Sequence, residues 1–254
     1  MTSNGLLDSF DSANPIFAML HLKGDDTAQK LEIAKREIET LWTGGVDAVI
    51  VENYYGSVDD VVLVCDYLRA NAPEVVFGIN VLNDDWRAFE LANEYGARFI
   101  QLDSVAGHLA SAEDADFAAR LAEERAASET FVLGGVRFKY QPYLSGRSLD
   151  EDLLLGAARA DAIVVTGAGT GQETPLEKTG EFRRIVGADY PLVVGAGVTV
   201  DNCRAQLKNA NAVVVGSYLK DTYQDTGDVD GAHVREFVGA IRSLSASVAS
   251  GASA

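Results

Sequence analysis

Cysteine, histidine and long apolar runs are scarce in this sequence, and each shortage excludes a class of protein. The two cysteines, Cys65 and Cys203, lie far apart in helical patterns, so we expect buried free thiols rather than a metal knuckle. Every apolar run is strand-sized, which excludes a bilayer-spanning helix. Residues 1–14 lack the basic start and apolar centre of a secretory signal, so the sequence predicts a cytoplasmic protein.

Positive charge is also scarce, since 38 acidic residues against 21 basic residues give a formal net charge of −17. A surface of this sign repels nucleic acid and anionic membranes, so neither is an expected partner. An anionic substrate would need a local patch of backbone N–H groups and a few cations. Arginine outnumbers lysine and aspartate pairs recur. This composition favours adaptation to high salt, and an ordinary acidic protein is the alternative.

Short β-branched or apolar runs alternate with longer helical patterns eight times along the chain. This strict alternation predicts parallel strands joined by crossover helices. Units of about thirty residues repeated in this way match the roughly 250 residues of one (β/α)8 barrel. A doubly wound open sheet, the alternative, would usually need fewer strands. The sequence therefore predicts a single α/β domain, a TIM barrel.

The predicted barrel domain covers residues 1–245, and a disordered tail of small residues follows at 246–254. The predicted strands are 16–22, 48–53, 75–81, 98–103, 131–138, 162–166, 192–195 and 212–216. The predicted helices are 27–43, 58–72, 86–95, 114–128, 148–160, 176–186, 201–209 and 231–245.

Polar residues at the predicted strand ends are the candidates for chemistry, because a barrel of this type binds its ligand at the carboxyl ends of its strands. Glu52 ends an apolar strand, where desolvation would raise its pKa and suit it to general acid or base work. An ion pair with Lys139 or Arg137 is the structural alternative. His21 is the only histidine at the predicted mouth, and it is a candidate either for proton transfer or for a structural role.

Further candidates end the third, fourth and fifth strands. Asp103 is either a base or, together with Glu52, a Mg²⁺ ligand, and we expect a metal-free site in preference. Lys139 is suited to neutralise a phosphate, protonate a leaving group or form a Schiff base. Asn80 and Asn83 stand at the rim after the third strand.

Glycine-rich turns follow the last three strands. Gly195 and Gly197 follow the seventh strand, and Gly216 with Ser217 follows the eighth. Glycine there would let backbone N–H groups approach an anion, which predicts a phosphate site in the two loops where barrels commonly hold phosphate; tight turns that close the barrel are the alternative. After the sixth strand, a ligand-facing loop is predicted to contribute Gly169, Thr170 and Gly171. A flexible turn is the alternative there.

Six blocks of sequence, in order from the first predicted strand to the eighth, resemble the BtpA family. They are MLHL at 19–22, GVDAVIVENY at 45–54, GINVLND at 78–84, VTGAGTG at 165–171, GAGVTVDN at 195–202 and VGSYLK at 215–220. The resemblance implies a TIM barrel with a phosphate-binding carboxyl end, and one class of members is linked to photosystem I accumulation. It adds Lys220 as a candidate for ligand contact and strengthens Asn80 and Asn83.

The chain departs from the family pattern in two places. A proline-rich loop usually follows the first His-Leu of the family, whereas the present chain has a short polar loop at 23–26. On the fifth strand the family shows an Asp and, after the Lys, a His; Gly135 and Tyr140 occupy those positions here. If those groups carry the family's chemistry, this protein catalyses a different step or none.

These observations favour an enzyme that acts on a phosphorylated sugar or a nucleoside-derived phosphate, by a lyase, isomerase or glycosyl-bond hydrolase reaction. A non-catalytic assembly or stability factor and a prenyl-phosphate enzyme are the alternatives. Barrels commonly self-associate through their helices, so a homo-oligomer is a second expectation. The predicted site has a phosphate-binding part at Asn80, Asn83, Gly169, Thr170, Gly171, Gly195, Gly197, Gly216, Ser217 and Lys220, and a proton-transfer part at His21, Glu52, Asp103 and Lys139.

Overall fold

Eight parallel strands close into one barrel, in which each strand pairs with the next and β8 pairs with β1. The structure is a computed structural model that describes residues 5–251, and residues 245–251 by their backbone alone. The predicted TIM barrel is therefore confirmed. Its strands are β1 Ile16–Leu20, β2 Ala48–Glu52, β3 Phe77–Asn80, β4 Phe99–Ala106, β5 Phe131–Val136, β6 Ala162–Thr166, β7 Leu192–Gly195 and β8 Ala212–Val215.

The helices form the outer layer and cover the outward faces of the strands. They are α1 Thr27–Thr43, α2 Val58–Asn71, α3 Asp85–Tyr95, α4 Ser111–Ala126, α5 Leu149–Arg159, α6 Leu176–Val186, α7 Cys203–Gln206 and α8 Gly231–Gly251. Short 3₁₀ helices add Leu7–Ser9 and Ser217–Leu219. Within residues 5–251 no helix is both long enough and apolar enough to cross a bilayer.

Local sequence signals start several helices. Asp26 and Asp84 accept hydrogen bonds from backbone N–H groups in the first turns of α1 and α3. Ser57 and Ser148 each form a capping box with the acidic residue three positions later. Each cap of this kind stabilises a helix by roughly 1 kcal/mol, because it satisfies an N–H that has no partner inside the helix.

Several element boundaries differ from the predicted ones, among them those of α7, β4 and α8. Helix α7 contains only Cys203–Gln206, because the chain turns at once towards β8. Strand β4 continues past residue 103 to Ala106, through a register shift against β5 that begins after Leu102. Helix α8 continues past residue 245 to Gly251, so the predicted tail is helical up to that residue, and residues 252–254 lie outside the described residues.

The barrel interior is filled by side chains from alternate strand positions, and it closes at the amino ends. The rings of Phe17 and Phe99 lie 5.0 Å apart in this inner cluster, and Leu6 and Phe10 pack against it. A Cβ at Gly78 would lie 2.2 Å from the Phe99 ring, so this glycine makes room for the phenyl group. Burial of one such phenyl ring contributes roughly 1.5–3 kcal/mol. The packed amino end leaves the carboxyl end as the open end.

Candidate functional site

A cavity of about 480 Å³ opens at the carboxyl end of the barrel; we call it the first cavity. Residues from all eight strand ends line it, because parallel strands in a barrel deliver their carboxyl ends to one face. The sequence-predicted residues in its lining are His21, Glu52, Asn83, Asp103, Lys139, Thr170, Gly171, Gly195, Gly197, Gly216 and Ser217. The structure therefore gathers most of the predicted site around one space.

Glu52 is the strongest acid–base candidate in the first cavity. Its residue is 5% exposed, and burial, reinforced by the nearby charge of Asp103, raises its pKa to about 8 against the opposing influence of Lys139 and Asn80. The carboxyl group is therefore protonated at neutral pH. The alternative of a structural ion pair is wrong for this carboxyl, because Arg137 pairs with Asp152 and Lys139 donates to Thr170.

Asn80 holds the two carboxyl groups together from beneath the cavity. Its Nδ2 donates to Glu52 Oε1 at 2.8 Å and lies 3.3 Å from Asp103 Oδ1. Gln101 Nε2 lies 3.5 Å from the same Asp103 oxygen. Burial raises the pKa of Asp103, although the Asn80 hydrogen bond and the Lys139 charge oppose that rise. Asn80 does not line the first cavity, so its predicted ligand contact is replaced by a positioning role.

His21 lies beside Glu52 as a neutral imidazole. Burial, together with the charges of Lys220 and Lys139, lowers its pKa to about 4 against the opposing influence of Asp225. Its Nε2 lies 3.7 Å from Glu52 Oε2. Both groups are uncharged at neutral pH, so their contact is a pair of neutral groups between which a ligand hydroxyl can pass a proton.

Lys139 reaches over the cavity to the loop that follows β6. Its Nζ donates to Thr170 Oγ1 at 3.0 Å, and its backbone N–H donates to Thr166 Oγ1 at 3.0 Å. The phenol oxygen of Tyr140 accepts a hydrogen bond from the Thr170 backbone N–H at 2.9 Å. Tyr140, where the family resemblance implied a His, thus fixes this loop. Gly169 packs against the same phenol and does not line the first cavity.

The glycine turns after β7 and β8 present backbone N–H groups that donate to no other group among residues 5–251. These are the amides of Gly197, Val198, Gly216 and Ser217. Ala196 and Gly197 both have positive φ, at 70° and 64°, which turns successive peptide groups in the manner of an anion-binding nest. The arrangement supports an anion site in these turns.

Packing also requires glycine in these turns. A Cβ at Gly197 would lie 2.3 Å from backbone atoms of Gln172 and Glu173, so the loops after β6 and β7 meet there. A Cβ at Gly216 would lie 3.2 Å from His21 Cε1. Tight loop closure, the alternative interpretation, is therefore sufficient to explain the glycine at position 197. The glycine at position 216 instead lets its turn lie against His21 of the acid–base pair.

Lys220 lies outside the first cavity, which corrects its predicted ligand contact. Its side chain is 1% exposed, and its Nζ pairs with Glu37 of α1 at 2.7 Å. Lys23 Nζ lies 3.7 Å from the same carboxylate oxygen. A buried carboxylate needs such partners, because an unpaired buried charge is strongly unfavourable. Lys220 thus anchors the loop after β8 to α1 rather than facing a ligand.

The surroundings of Gly135, where the family resemblance implied an aspartate, leave no room for a side chain. A Cβ at this position would lie 2.1 Å from the backbone oxygen of Asp103. The register shift in β4 brings the two strands close together here. Only a displacement of β4 would therefore admit a side chain at this position.

No third His, Cys, Asp or Glu joins Glu52 and Asp103 in a metal-binding group among the residues described. The expectation of a metal-free site, with Mg²⁺ held by these two carboxylates and by water or substrate oxygens as the alternative, therefore stays a prediction.

The structure also reveals residues at the mouth that the sequence did not single out. Strand β4 carries Ser104 past the predicted strand end, and both Ser104 and His108 line a cavity next to the first one. His21 is the only histidine in the lining of the first cavity, and His108, which the sequence placed in a loop, lines the neighbouring cavity. The only signal for these residues was the run of apolar and small residues after 103, which permits a longer strand.

Comparison with known proteins places the chain among related barrels. The sequence profile of the BtpA family matches residues 12–243. The photosystem I biogenesis protein BtpA of Synechocystis sp. is 28% identical, over 93% of this chain and 91% of that protein. An uncharacterized protein of Thermococcus kodakarensis is 29% identical, over 81% of this chain and 87% of that protein.

Solved structures share the barrel. Thiamine phosphate pyrophosphorylase from Pyrococcus furiosus superposes with a TM-score of 0.60 at 14% identity, over 91% of this chain and 96% of that one. Geranylgeranylglyceryl phosphate synthase from Thermoplasma acidophilum, in complex with its substrate sn-glycerol-1-phosphate, gives a TM-score of 0.59 at 14% identity, over 94% and 97%. Because the sequences are only 14% identical, these two structures support a shared fold alone.

Proposed function

We propose that this chain, which belongs to the BtpA family, is an enzyme that binds a phosphorylated sugar or nucleoside-derived phosphate and transfers a proton within it. The observation that carries the proposal is the juxtaposition of two unlike groups around one cavity. Unpaired backbone amides stand at Gly197 and Gly216, and the neutral pair of Glu52 and His21 stands against the second of them.

The amide end of the cavity suits a phosphate. Four N–H donors without protein partners offer hydrogen bonds to phosphate oxygens, and Lys139 is the lysine in the cavity lining. Because the whole chain carries a net charge of −17, binding of an anion depends on these local donors rather than on the overall field.

The other end suits proton transfer. Protonated Glu52 can give its proton to a leaving or carbonyl oxygen, and neutral His21 can accept one, so the pair supplies an acid and a base at the same pH. Asn80 keeps the Glu52 carboxyl in place through its 2.8 Å hydrogen bond. This chemistry is compatible with a lyase, an isomerase or hydrolysis of a glycosyl bond.

A non-catalytic assembly factor is the second candidate. The Synechocystis relative is named for photosystem I biogenesis, and the rim of the mouth exposes Tyr140, Tyr143 and Leu144, which could contact a protein. A prenyl-phosphate substrate has less support. It needs a long apolar groove beside the mouth, whereas the cavity next to the first one is lined by Asp84, Asp85 and Asp103.

Thermal unfolding in concentrated KCl tests the proposal with inorganic phosphate, a pentose phosphate, a hexose phosphate and the corresponding free sugars. A ligand at about 100 times its Kd stabilises the native state by about 2.7 kcal/mol. We expect inorganic phosphate and the sugar phosphates to raise the unfolding midpoint and the free sugars to leave it unchanged. The rise should be lost in Lys139→Met and kept in Lys208→Met, which changes an exposed lysine. Equal shifts with free sugars would contradict the phosphate site.

Turnover distinguishes the two candidate functions. Phosphorus NMR of each bound compound follows its conversion, and we expect Glu52→Gln to bind with unchanged affinity while conversion falls by about 100-fold or more. Binding without conversion by the unaltered chain would favour the assembly factor.

A further inference from the structure

A second cavity, of about 260 Å³, adjoins the first between α3, β4 and α4. Asn83, Asp103 and Gln141 stand in the walls of both cavities. The two cavities therefore adjoin at these three side chains. The proposed proton transfer does not use this second cavity.

Two residues that line the second cavity carry buried polar atoms without a hydrogen-bond partner. Ser104 is 5% exposed, and its Oγ forms no hydrogen bond. His108 Nδ1 is likewise buried and unpartnered. A buried polar group without a hydrogen bond costs about 1–3 kcal/mol, so such groups call for an explanation. The register shift in β4, which begins after Leu102, carries Ser104, and irregularities of this kind re-aim side chains beside functional sites.

Charge decides what the second cavity accepts. Asp84, Asp85 and Asp103 contribute carboxyl groups, and no Lys or Arg is among its described lining residues. Burial, reinforced by Asp103 and Asp84, raises the pKa of Asp85 to about 7. Such a lining repels a phosphate and offers carboxyl oxygens to hydroxyl donors.

An aromatic wall completes the second cavity. The rings of Trp86 and Phe117 lie 5.5 Å apart, and the His108 ring meets Phe117 edge-on at 5.1 Å. The Arg120 guanidinium lies over the Trp86 ring, 4.1 Å from its centroid, and holds it in place. An apolar wall opposite hydrogen-bonding groups suits a ring that carries hydroxyls on its edges and C–H groups on its faces.

We infer that the second cavity binds the neutral, hydroxyl-bearing end of the ligand whose phosphate lies at the glycine turns of the first cavity, with Ser104 and His108 as its specificity contacts. This inference rests on the proposed function and narrows it. The substrate class becomes a sugar or polyol monophosphate, and a bisphosphate or a lipid phosphate is disfavoured.

Isothermal titration calorimetry on the full chain, with inorganic phosphate and a hexose monophosphate as probes, tests the inference. We expect the hexose phosphate to bind about tenfold or more tightly than phosphate. Ser104→Ala and His108→Phe should each reduce that advantage about threefold to tenfold without changing the affinity for phosphate. Ser243→Ala, an exposed serine on α8, is the matched control and should change neither.

The stability of the free protein supplies an independent readout. Because Ser104 Oγ has no partner in the folded chain, Ser104→Ala should not lower the unfolding midpoint, whereas a serine needed for folding would lower it. His108→Phe keeps the contact with Phe117 and serves as the second variant.

The outcomes separate the inference from the proposed function. If the chain binds neither probe, both fall. Suppose that phosphate binds to the unaltered chain and not to Lys139→Met. If the Ser104 and His108 variants then still bind the hexose phosphate more tightly than phosphate by the full factor, the inference alone is overturned. Tighter binding of an amino sugar phosphate or of an alkyl phosphate than of the hexose phosphate would also overturn it, since the cavity would then select a cation or a chain.

Discussion

Glu52 shows how a barrel interior changes one residue's chemistry. Its carboxyl group is buried at the end of an apolar strand, and the only side chain that donates a hydrogen bond to it among the described residues is Asn80. Desolvation favours the protonated form, which raises the pKa of Glu52 to about 8. His21 experiences the same burial with the opposite effect, because desolvation removes its positive charge and lowers its pKa to about 4. One environment thus yields both a proton donor and a proton acceptor.

The raised pKa of Glu52 makes a prediction about stability. The folded carboxyl, with a pKa of about 8, binds a proton more tightly than the unfolded one, whose ordinary value is 4.5. Its contribution is therefore fully present below the lower value and is lost as pH rises through the higher one. As pH rises across that window, we expect the free energy of unfolding of Glu52→Gln to increase relative to that of the unaltered chain by roughly 1 kcal/mol per pH unit.

Urea unfolding at several pH values in constant salt measures this difference. Each comparison is made between the variant and the unaltered chain at one pH. His21 contributes a pH dependence of stability of the opposite sign, and this contribution is common to both proteins and cancels. Glu39→Gln, which changes an exposed carboxyl on α1, is the control and should give a flat difference. A flat difference for Glu52→Gln as well would mean that its pKa is not raised.

At the scale of elements, the loops rather than the strands determine the shape of the mouth. The loop after β6 has several contacts with its neighbours. Tyr140 accepts from the Thr170 amide, Lys139 donates to the Thr170 hydroxyl, and Gly197 packs against the backbone of 172 and 173. The loop after β8 is fixed separately, through Lys220 and Glu37. These contacts hold the glycine turns in position for a ligand.

Removal of the Tyr140 hydroxyl should loosen the loop after β6. Tyr140→Phe deletes the acceptor of the Thr170 amide, and one hydrogen bond of this kind contributes about 0.5–1.5 kcal/mol. We expect amide hydrogen exchange over residues 167–173 to quicken by about two- to tenfold. Tyr143→Phe, whose hydroxyl donates to the Arg137 carbonyl, is the matched control and should leave those amides unchanged. Unchanged exchange in Tyr140→Phe would show that the other contacts suffice.

At the scale of the whole molecule, charge is the dominant property. A net charge of −17 on 254 residues opposes compaction by self-repulsion. Several acidic residues are nevertheless paired inside the structure, such as Asp114 with Arg147 and Arg159. The excess therefore lies on the surface, where dissolved salt can screen it.

Screening should raise the stability of the chain. The Debye length falls from about 10 Å at 0.1 M to about 3 Å at 1 M salt, so repulsion between surface carboxylates weakens over that range. We expect the thermal midpoint to rise with KCl and to level off near the upper concentration. Chloride is preferred to sulfate, because sulfate stabilises proteins by exclusion from their surface regardless of charge. A midpoint that falls or stays constant in KCl would argue against adaptation to high salt.

The sequence by itself determined the architecture and the places where chemistry gathers. Strand and helix periodicity and helix caps are local signals, and eight repeats of them permit few arrangements other than a closed barrel. Parallel strands then bring their carboxyl ends together, so Glu52, Asp103 and His21 could be assigned to one mouth before any contact was known.

Only the tertiary structure decided which of these side chains face a ligand. Lys220 turns away to Glu37, a residue 183 positions distant in the chain, and Arg137 turns to Asp152. Asn80 lies beneath the carboxyl groups, and the irregular β4 opens the second cavity around Ser104. Partner choice and side-chain direction depend on residues far apart in sequence and on small shifts of register, and no local pattern carries that information.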